Sequence, residues 1–250
     1  SYKSDFRYCF KTLKRRHGMK NVLISGSTKG IGLAIAQELK ATGCRVFGCG
    51  RSKCEDENYL SIDLSRTENA KALYLAAKEK LGSIDILINN AGVYDYSPIE
   101  KTDPDTAQRL INLNLTTPCL LCKYAVEDMK QNMWGRIINI GSISGAVGEA
   151  NASLYSAAKA GLSGLTKSLA LELAQYNITV NQINPGWVDT DLANEALSAE
   201  EKNETLEIIP QRRFIEPWEV AKLCRYLISQ DAKGLTGQSI NLCAGLSCGA

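Results

Sequence analysis

The sequence has a single histidine in 250 residues, His17, and it lies in a basic stretch at the start of the chain. A histidine general base inside the fold and a multi-histidine metal site are excluded, and with them most triad hydrolases and zinc enzymes. No apolar run approaches the ~20 residues that cross a bilayer, and mean hydropathy is -0.16, so neither a membrane span nor a membrane partner is expected. Charge of one sign is scarce too: 29 basic against 27 acidic residues give +2, which offers no field for nucleic acid. Residues 1–18 carry six cations against Asp5, a net of +5, which leaves −3 (+2 less +5) for the remainder. This leader lacks the apolar centre of a secretory signal and reads as a disordered or added extension. The alternative is an Arg-rich targeting or anchoring segment, with Phe6, Phe10 and Leu13 at helical spacing. The folded domain is expected to run from Met19 to the C-terminus.

Cysteine is not scarce, but nine residues, an odd number spread over the whole chain, fit reduced thiols in a cytoplasmic setting better than a disulfide scaffold. Cys119 and Cys122 form a lone CxxC in an apolar helical stretch, where positions three apart share a face and free cysteine packs as a small hydrophobe. No metal site is expected.

From Asn21 onward, short β-branched runs alternate with longer helical patterns, the mark of βαβ units in a parallel sheet. Seven strands are expected to begin near Val22, Val46, Tyr59, Ile84, Ile137, Thr179 and Ser239, with helices near 30–42, 67–81, 104–131, 152–175 and 217–229. The fold class is a single-domain, doubly wound α/β fold with helices on both faces of the sheet. The polar segment from about 190 to 214 interrupts the alternation and is a candidate lid over the carboxyl edge.

The first strand runs into Gly26-Ser27-Thr28-Lys29-Gly30-Ile31-Gly32 and then a helix. Gly26 permits a tight turn, Gly30 a close approach of pyrophosphate and Gly32 close packing of helix on strand, while the free amides attract phosphate. Where an acid would bind the ribose diol of NAD, after the second strand, stand Gly50 and Arg51. Arg51 can fork onto a 2′-phosphate and Lys29 can add a second charge, so the cofactor is expected to be NADP(H). Asp63, followed by Leu64, either contacts the adenine amino group or caps a helix.

Tyr155 and Lys159 lie four apart on a helix and so share a face. The spacing alone is weak, since 10 Tyr and 18 Lys give ~0.7 such pairs by chance, and Tyr74 with Lys78 is a second. Both pairs have a serine 13 residues before the tyrosine, Ser142 and Ser61. Context separates them: Ser142 ends the fifth strand and Tyr155 opens the next helix, at the edge where nicotinamide would lie. Reducing a carbonyl leaves an alkoxide that needs a proton, and an ammonium at ~4 Å in an effective dielectric of ~20 would lower a tyrosine by about three units. Ser142 would hold the substrate oxygen.

With these residues, the chain resembles the short-chain dehydrogenase/reductase family, which has the Rossmann fold. The glycine loop and Ser142-Tyr155-Lys159 are joined by Asn89-Asn90-Ala91-Gly92, Asn114, and Asn184-Pro185-Gly186-Trp187-Val188-Asp189-Thr190, all in order. The resemblance implies that Asn114 holds a water-linked proton relay to Lys159, that Lys159 also binds the nicotinamide ribose, that Asn89 to Gly92 line the cofactor cleft, that Val188, through its backbone, and Thr190 fix the carboxamide, and that Pro185 and Gly186 also bind the cofactor. Within the family the likeness is greatest to bacterial 3-oxoacyl-(acyl carrier protein) reductases, through Tyr155 to Leu162, Ile178 to Asn181 and Leu235 to Gln238. It implies NADPH-dependent reduction of a 3-oxoacyl thioester, on coenzyme A or acyl carrier protein, by a homotetramer or homodimer. A general ketone, sugar or alcohol dehydrogenase is the alternative. Three departures stand out: residues 52–58 are too few for the usual helix, the stretches 130–134 and 175–177 offer one docking cation, Lys130, and Arg212, Ile215 and Ala244 replace customary glycines.

Overall fold

The computed structural model describes residues 19–190 and 198–248; the leader, residues 191–197 of the candidate lid, and the last two residues lie outside the described residues. The chain forms β1 (Asn21–Ser25), α1 (Gly30–Ala41), β2 (Arg45–Gly50), β3 (Tyr59–Ser61), α2 (Asn69–Leu81), β4 (Ile86–Asn89), α3 (Pro104–Ile111), a π-helical turn (Asn112–Thr116) and α4 (Thr117–Gln131). There follow β5 (Gly135–Ile140), α5 (Ser144–Val147), α6 (Ser153–Leu173), β6 (Ile178–Pro185), α7 (Ala199–Ile208), α8 (Pro217–Ile228) and β7 (Ser239–Leu242).

All strands pair in parallel in the order β3-β2-β1-β4-β5-β6-β7. The order reverses between β1 and β4, which opens a crevice at their carboxyl ends. Alternate residues enter opposite cores, as the two-residue period of a strand requires. Val22 and Ile24 of β1, Ile86 and Ile88 of β4 and Ile183 of β6 pack with α1 and α8. Leu23, Leu87, Ile137 and Val180 pack with α2, α4 and α6. β4, β5 and β6 are buried on both faces, and in β5 and β6 buried polar side chains such as Arg136, Asn139, Asn181 and Asn184 interrupt the apolar positions.

The seven strands and their parallel pairing meet the expectation, with three local differences. β4 begins at Ile86, because the Ile84 amide turns away to Asp128 Oδ2 at 3.1 Å before the ladder starts. The helix expected over 104–131 is split by the π turn, which carries Asn114. The described part of the candidate lid is ordered: Ser198 and Glu201 form a capping box at the start of α7, and Ile209 and Phe214 are buried in the core. No helix among the described residues is long and apolar enough to cross a membrane.

Candidate active site

The glycine loop leaves β1 through Gly26 at φ +71° and enters α1 at Gly30, φ +53°. Lys29, at the N-cap, makes no side-chain cap, so Gly30, Ile31 and Gly32 offer first-turn amides without a capping side chain. Gly32 has a tighter role than expected: a Cβ there would lie 1.8 Å from the Gly26 carbonyl oxygen, so it closes the loop on itself as well as packing helix on strand. Asn90 braces this cradle from β4, donating from Nδ2 to the carbonyls of Ser25 (3.0 Å) and Gly26 (2.8 Å). The Asn90 and Ala91 amides both reach Ser25 Oγ at 3.0 Å. Asn89, by contrast, is buried away from the cleft, donating to Asn139 Oδ1 at 2.8 Å within the sheet.

On the adenine side, residues 52–58 form no helix, and a cavity of about 460 Å³ opens there, lined by Ser27, Thr28, Lys29 and Lys53 among others. Arg51 is exposed just before Ser52 and Lys53, so Lys53 is a cation the sequence reading overlooked. Asp63 caps no helix, since α2 begins only at Asn69, and instead closes a turn: its Oδ1 accepts from the Ser65 amide at 3.0 Å, the main cause that holds its carboxyl below the usual range. Leu64 is buried, and its carbonyl accepts from Thr117 Oγ1 at 2.8 Å.

A second cleft, of about 480 Å³, lies at the carboxyl edge. Ile31, Ser142, Tyr155, Pro185, Gly186, Val188 and Thr190 all line it, so the fold brings together residues from four separate stretches of sequence. Lys159, one turn below Tyr155, is 4% exposed; its Nζ donates to the Ile140 carbonyl at 2.9 Å and lies 5.6 Å from the Tyr155 ring centroid. Asn114 sits behind it. Its Nδ2 donates to the carbonyls of Val93 (2.9 Å) and Leu110 (3.1 Å). A Cβ at Gly92 would come within 2.7 Å of Asn114 Oδ1 and 3.5 Å of Lys159 Nζ, so only glycine leaves that corner open.

Electrostatics correct one expectation. Burial pushes Tyr155 up to about 12, with Glu149 adding to the rise and the Ser142 hydroxyl opposing it, and burial brings Lys159 down to about 8. Lys159 alone does not acidify the tyrosine here. Desolvation penalises the charged forms of both groups, and the lysine's hydrogen bond goes to a backbone carbonyl.

The rival pair is structural. Tyr74 donates to Asp128 Oδ2 (3.2 Å), and Lys78 reaches Tyr74 Oη (3.0 Å) and Asp128 Oδ1 (2.6 Å), which pins α2 to α4 far from the cleft. Of the CxxC, Cys122 is buried in the core and Cys119 is exposed, so the shared core face does not hold for both. The eight described cysteines are free thiols.

The cleft also holds groups that spacing did not reveal. Glu149, in the loop after α5, accepts from Tyr94 Oη at 2.6 Å on Oε1 and from Ser144 Oγ at 2.6 Å on Oε2. Ser144 Oγ is 3.0 Å from Ser142 Oγ. With Glu149 ionised, Ser144's one proton goes to the carboxylate. Ser142 then donates to Ser144, and its hydroxyl can rotate that proton to a carbonyl oxygen that enters the cleft. Tyr94 meets the Tyr155 ring edge-on at 5.1 Å. Trp187, stacked on Phe214, lines the cleft together with the apolar Val147, Ile208 and Leu246. Only the aromatic in Asn-Pro-Gly-Trp could have been suspected, as a large side chain directly after a strand end.

Known proteins resemble this chain over most of its length. The profile described as Enoyl-(Acyl carrier protein) reductase matches residues 26–247. The 3-oxoacyl-[acyl-carrier-protein] reductase FabG of Haemophilus influenzae is 36% identical over 237 residues, covering 91% of this chain and 98% of that protein. The D-beta-hydroxybutyrate dehydrogenase of Cupriavidus necator is 35% identical over 250 residues, covering 90% and 97%. Among solved structures, the ligand-free aldohexose dehydrogenase of Thermoplasma acidophilum superposes with a TM-score of 0.86 at 29% identity, covering 93% of this chain and 96% of that one.

Proposed function

This chain belongs to the short-chain dehydrogenase/reductase family of oxidoreductases acting on CH–OH and C=O groups, and from that premise we propose that it reduces 3-oxoacyl thioesters with NADPH. A nicotinamide dinucleotide suits the cradle of Gly26, Gly30 and Gly32 at an uncapped helix start, where any Cβ at Gly32 would strike the Gly26 carbonyl and break the loop. When bound, it supplies the hydride. NADP(H) is the form proposed, because Gly50 offers no acid, Lys29 and Lys53 line the cavity at the expected adenine side, and Arg51 is exposed two residues before Lys53.

The residues of the chain do the rest. Ser142 holds the carbonyl oxygen, and Tyr155 Oη gives its proton to that oxygen as the carbon is reduced, so C=O becomes CH–OH. A tyrosine held at about 12 stays protonated through the neutral range, as a donor must. Lys159 fixes the nicotinamide ribose and returns a proton to Tyr155 through a water-linked relay at Asn114. The observation that carries this reading is the meeting of Ser142, Tyr155 and Lys159 at one cleft, while the identically spaced Tyr74 and Lys78 are locked to Asp128.

Support for this substrate class comes from the relatives named for 3-oxoacyl reduction and from the apolar lining of Val147, Trp187, Ile208 and Leu246. Docking to a carrier protein is weakly supported: Lys130, the one cation of its stretch, lies 4.9 Å from the Tyr176 ring centroid. A cytoplasmic, reducing compartment suits the free thiols, and a homotetramer or homodimer is part of the same reading. NADPH oxidation with acetoacetyl-coenzyme A and with the acetoacetyl carrier protein, across ionic strengths, tests the proposal. Both thioesters should turn over with carrier selectivity below ~100-fold, or ~2.7 kcal/mol. Larger selectivity that collapses with salt would restore a dedicated carrier-protein enzyme. Turnover of neither, with brisk reduction of a simple ketone or sugar, would reject the acyl reading.

A further inference from the structure

Among the described residues that line the catalytic cleft, Glu149 is the one with a charged side chain. Both of its oxygens accept hydrogen bonds of 2.6 Å from hydroxyls, an arrangement that suits a carboxylate. Tyr94 and Ser144 have neutral hydroxyls, so they fix this charge without cancelling it. Lys159, beneath Tyr155, is tied to the Ile140 carbonyl. The same cleft is lined by the apolar side chains of Val147, Trp187 and Ile208.

A fixed negative charge linked through Ser144 to Ser142, in the cleft that Ser142 and Tyr155 line, discriminates among carbonyl compounds by charge. We infer that Glu149 is a specificity residue that bars anionic carbonyl compounds, such as free 3-oxo acids, and admits those neutral beside the reacting carbonyl, such as esters and thioesters. The inference rests on the carbonyl-reducing reading above and narrows its substrate class. A thioester buries no charge beside Glu149, whereas the free acid places a second carboxylate in the same small cavity. At ~7 Å and an effective dielectric of ~20, two like charges repel enough to separate the two by roughly 50-fold.

Methyl acetoacetate and acetoacetate present the same ketone with and without a charge. For each, kcat/KM with NADPH and the dissociation constant by calorimetry should be measured on the unmodified chain and on Glu149→Gln and Glu149→Asp, with folding checked by thermal melting. The unmodified chain should prefer the ester by at least tenfold. Glu149→Gln should cut that ratio about tenfold or more by improving the acid, and Glu149→Asp, which keeps the charge, should retain most of it. A preference below threefold in the unmodified chain, an unchanged ratio in Glu149→Gln, or binding of neither compound would overturn the inference. If neither compound is reduced but both bind, the dissociation constants carry the ratio. Failure of acetoacetyl-coenzyme A alongside turnover of methyl acetoacetate would instead reject the acyl-thioester reading and leave the ester-to-acid comparison intact.

Discussion

Cofactor choice gives the sharpest test of the adenine side. Lys29 and Arg51 are both exposed, so their charge-assisted bonds to a 2′-phosphate fall below the ~1.5–3 kcal/mol of a buried pair. Together they should contribute ~1.4–2 kcal/mol, a 10- to 30-fold preference for NADPH over NADH. The obvious switch, Gly50→Asp, should fail alone. A Cβ at residue 50 would lie 2.8 Å from Tyr59 Oη and 3.2 Å from Thr28 Oγ1, and the Tyr59 hydroxyl is held by the Ser52 carbonyl at 2.7 Å. Glycine is therefore required by Tyr59 as well as permitted by the absence of a ribose-binding acid. Removing that hydroxyl costs about 0.5–1 kcal/mol and makes room, so Gly50→Asp with Tyr59→Phe should bring the two dissociation constants level or invert them. Titration of each variant with NADPH and NADH, followed by calorimetry, measures both ratios. Equal affinities in the unmodified chain would refute the phosphate argument, and a complete switch by Gly50→Asp alone would refute the steric one.

Three further outcomes are expected. Tyr155→Phe should lower kcat by at least ~100-fold with NADPH affinity within threefold, whereas Tyr74→Phe should leave kcat alone and lower Tm, because it strips a hydrogen bond from buried Asp128; stopped-assay rates beside thermal melts would separate them. Lys159, lowered by burial to about 8, loses its charge as pH rises through that value, so kcat/KM for NADPH should fall above about pH 8; in stability the sign is opposite, since the unfolded lysine (10.5) binds the proton more tightly, and Lys159's contribution declines as pH falls from 10.5 to 8. A pH profile flat to 9.5 would contradict this. Arg212 holds a left-handed backbone, φ +53°, at an exposed position, so Arg212→Gly should stabilise by ~0.5–1 kcal/mol and raise Tm by ~2–4 °C, read by calorimetry.

The alternating architecture was legible because its signals are local. β-branched runs such as Asn21–Ser25 and Ile178–Pro185 form strands buried on both faces, and the glycine loop must precede a helix because its φ values and free amides leave little choice. Elements that depend on distant partners were not legible. The π turn at Asn112–Thr116 interrupts no apolar periodicity, yet it carries Asn114 where its carboxamide meets the Val93 carbonyl. The order of α7 follows from a capping box and from Ile208 and Ile209 turning toward cleft and core, which a polar composition concealed.

The site divides in the same way. By itself the sequence determined the cofactor cradle, the Ser142, Tyr155 and Lys159 candidates and the absence of an acid at residue 50, because residue type and short spacing carry that chemistry. Two tyrosine–lysine pairs had identical spacing, and place along the strand–helix alternation already favoured Tyr155 and Lys159; what surrounds each pair only tertiary structure decided: Asp128, 50 residues after Lys78, converts one into a brace, while the end of β5 places the other at an open cleft. The same holds for charge. Burial raises Tyr155 and lowers Lys159, and Glu149 enters the cleft through hydroxyls 55 and 5 residues away, because desolvation and contact depend on where the chain returns in space and leave no period in its sequence.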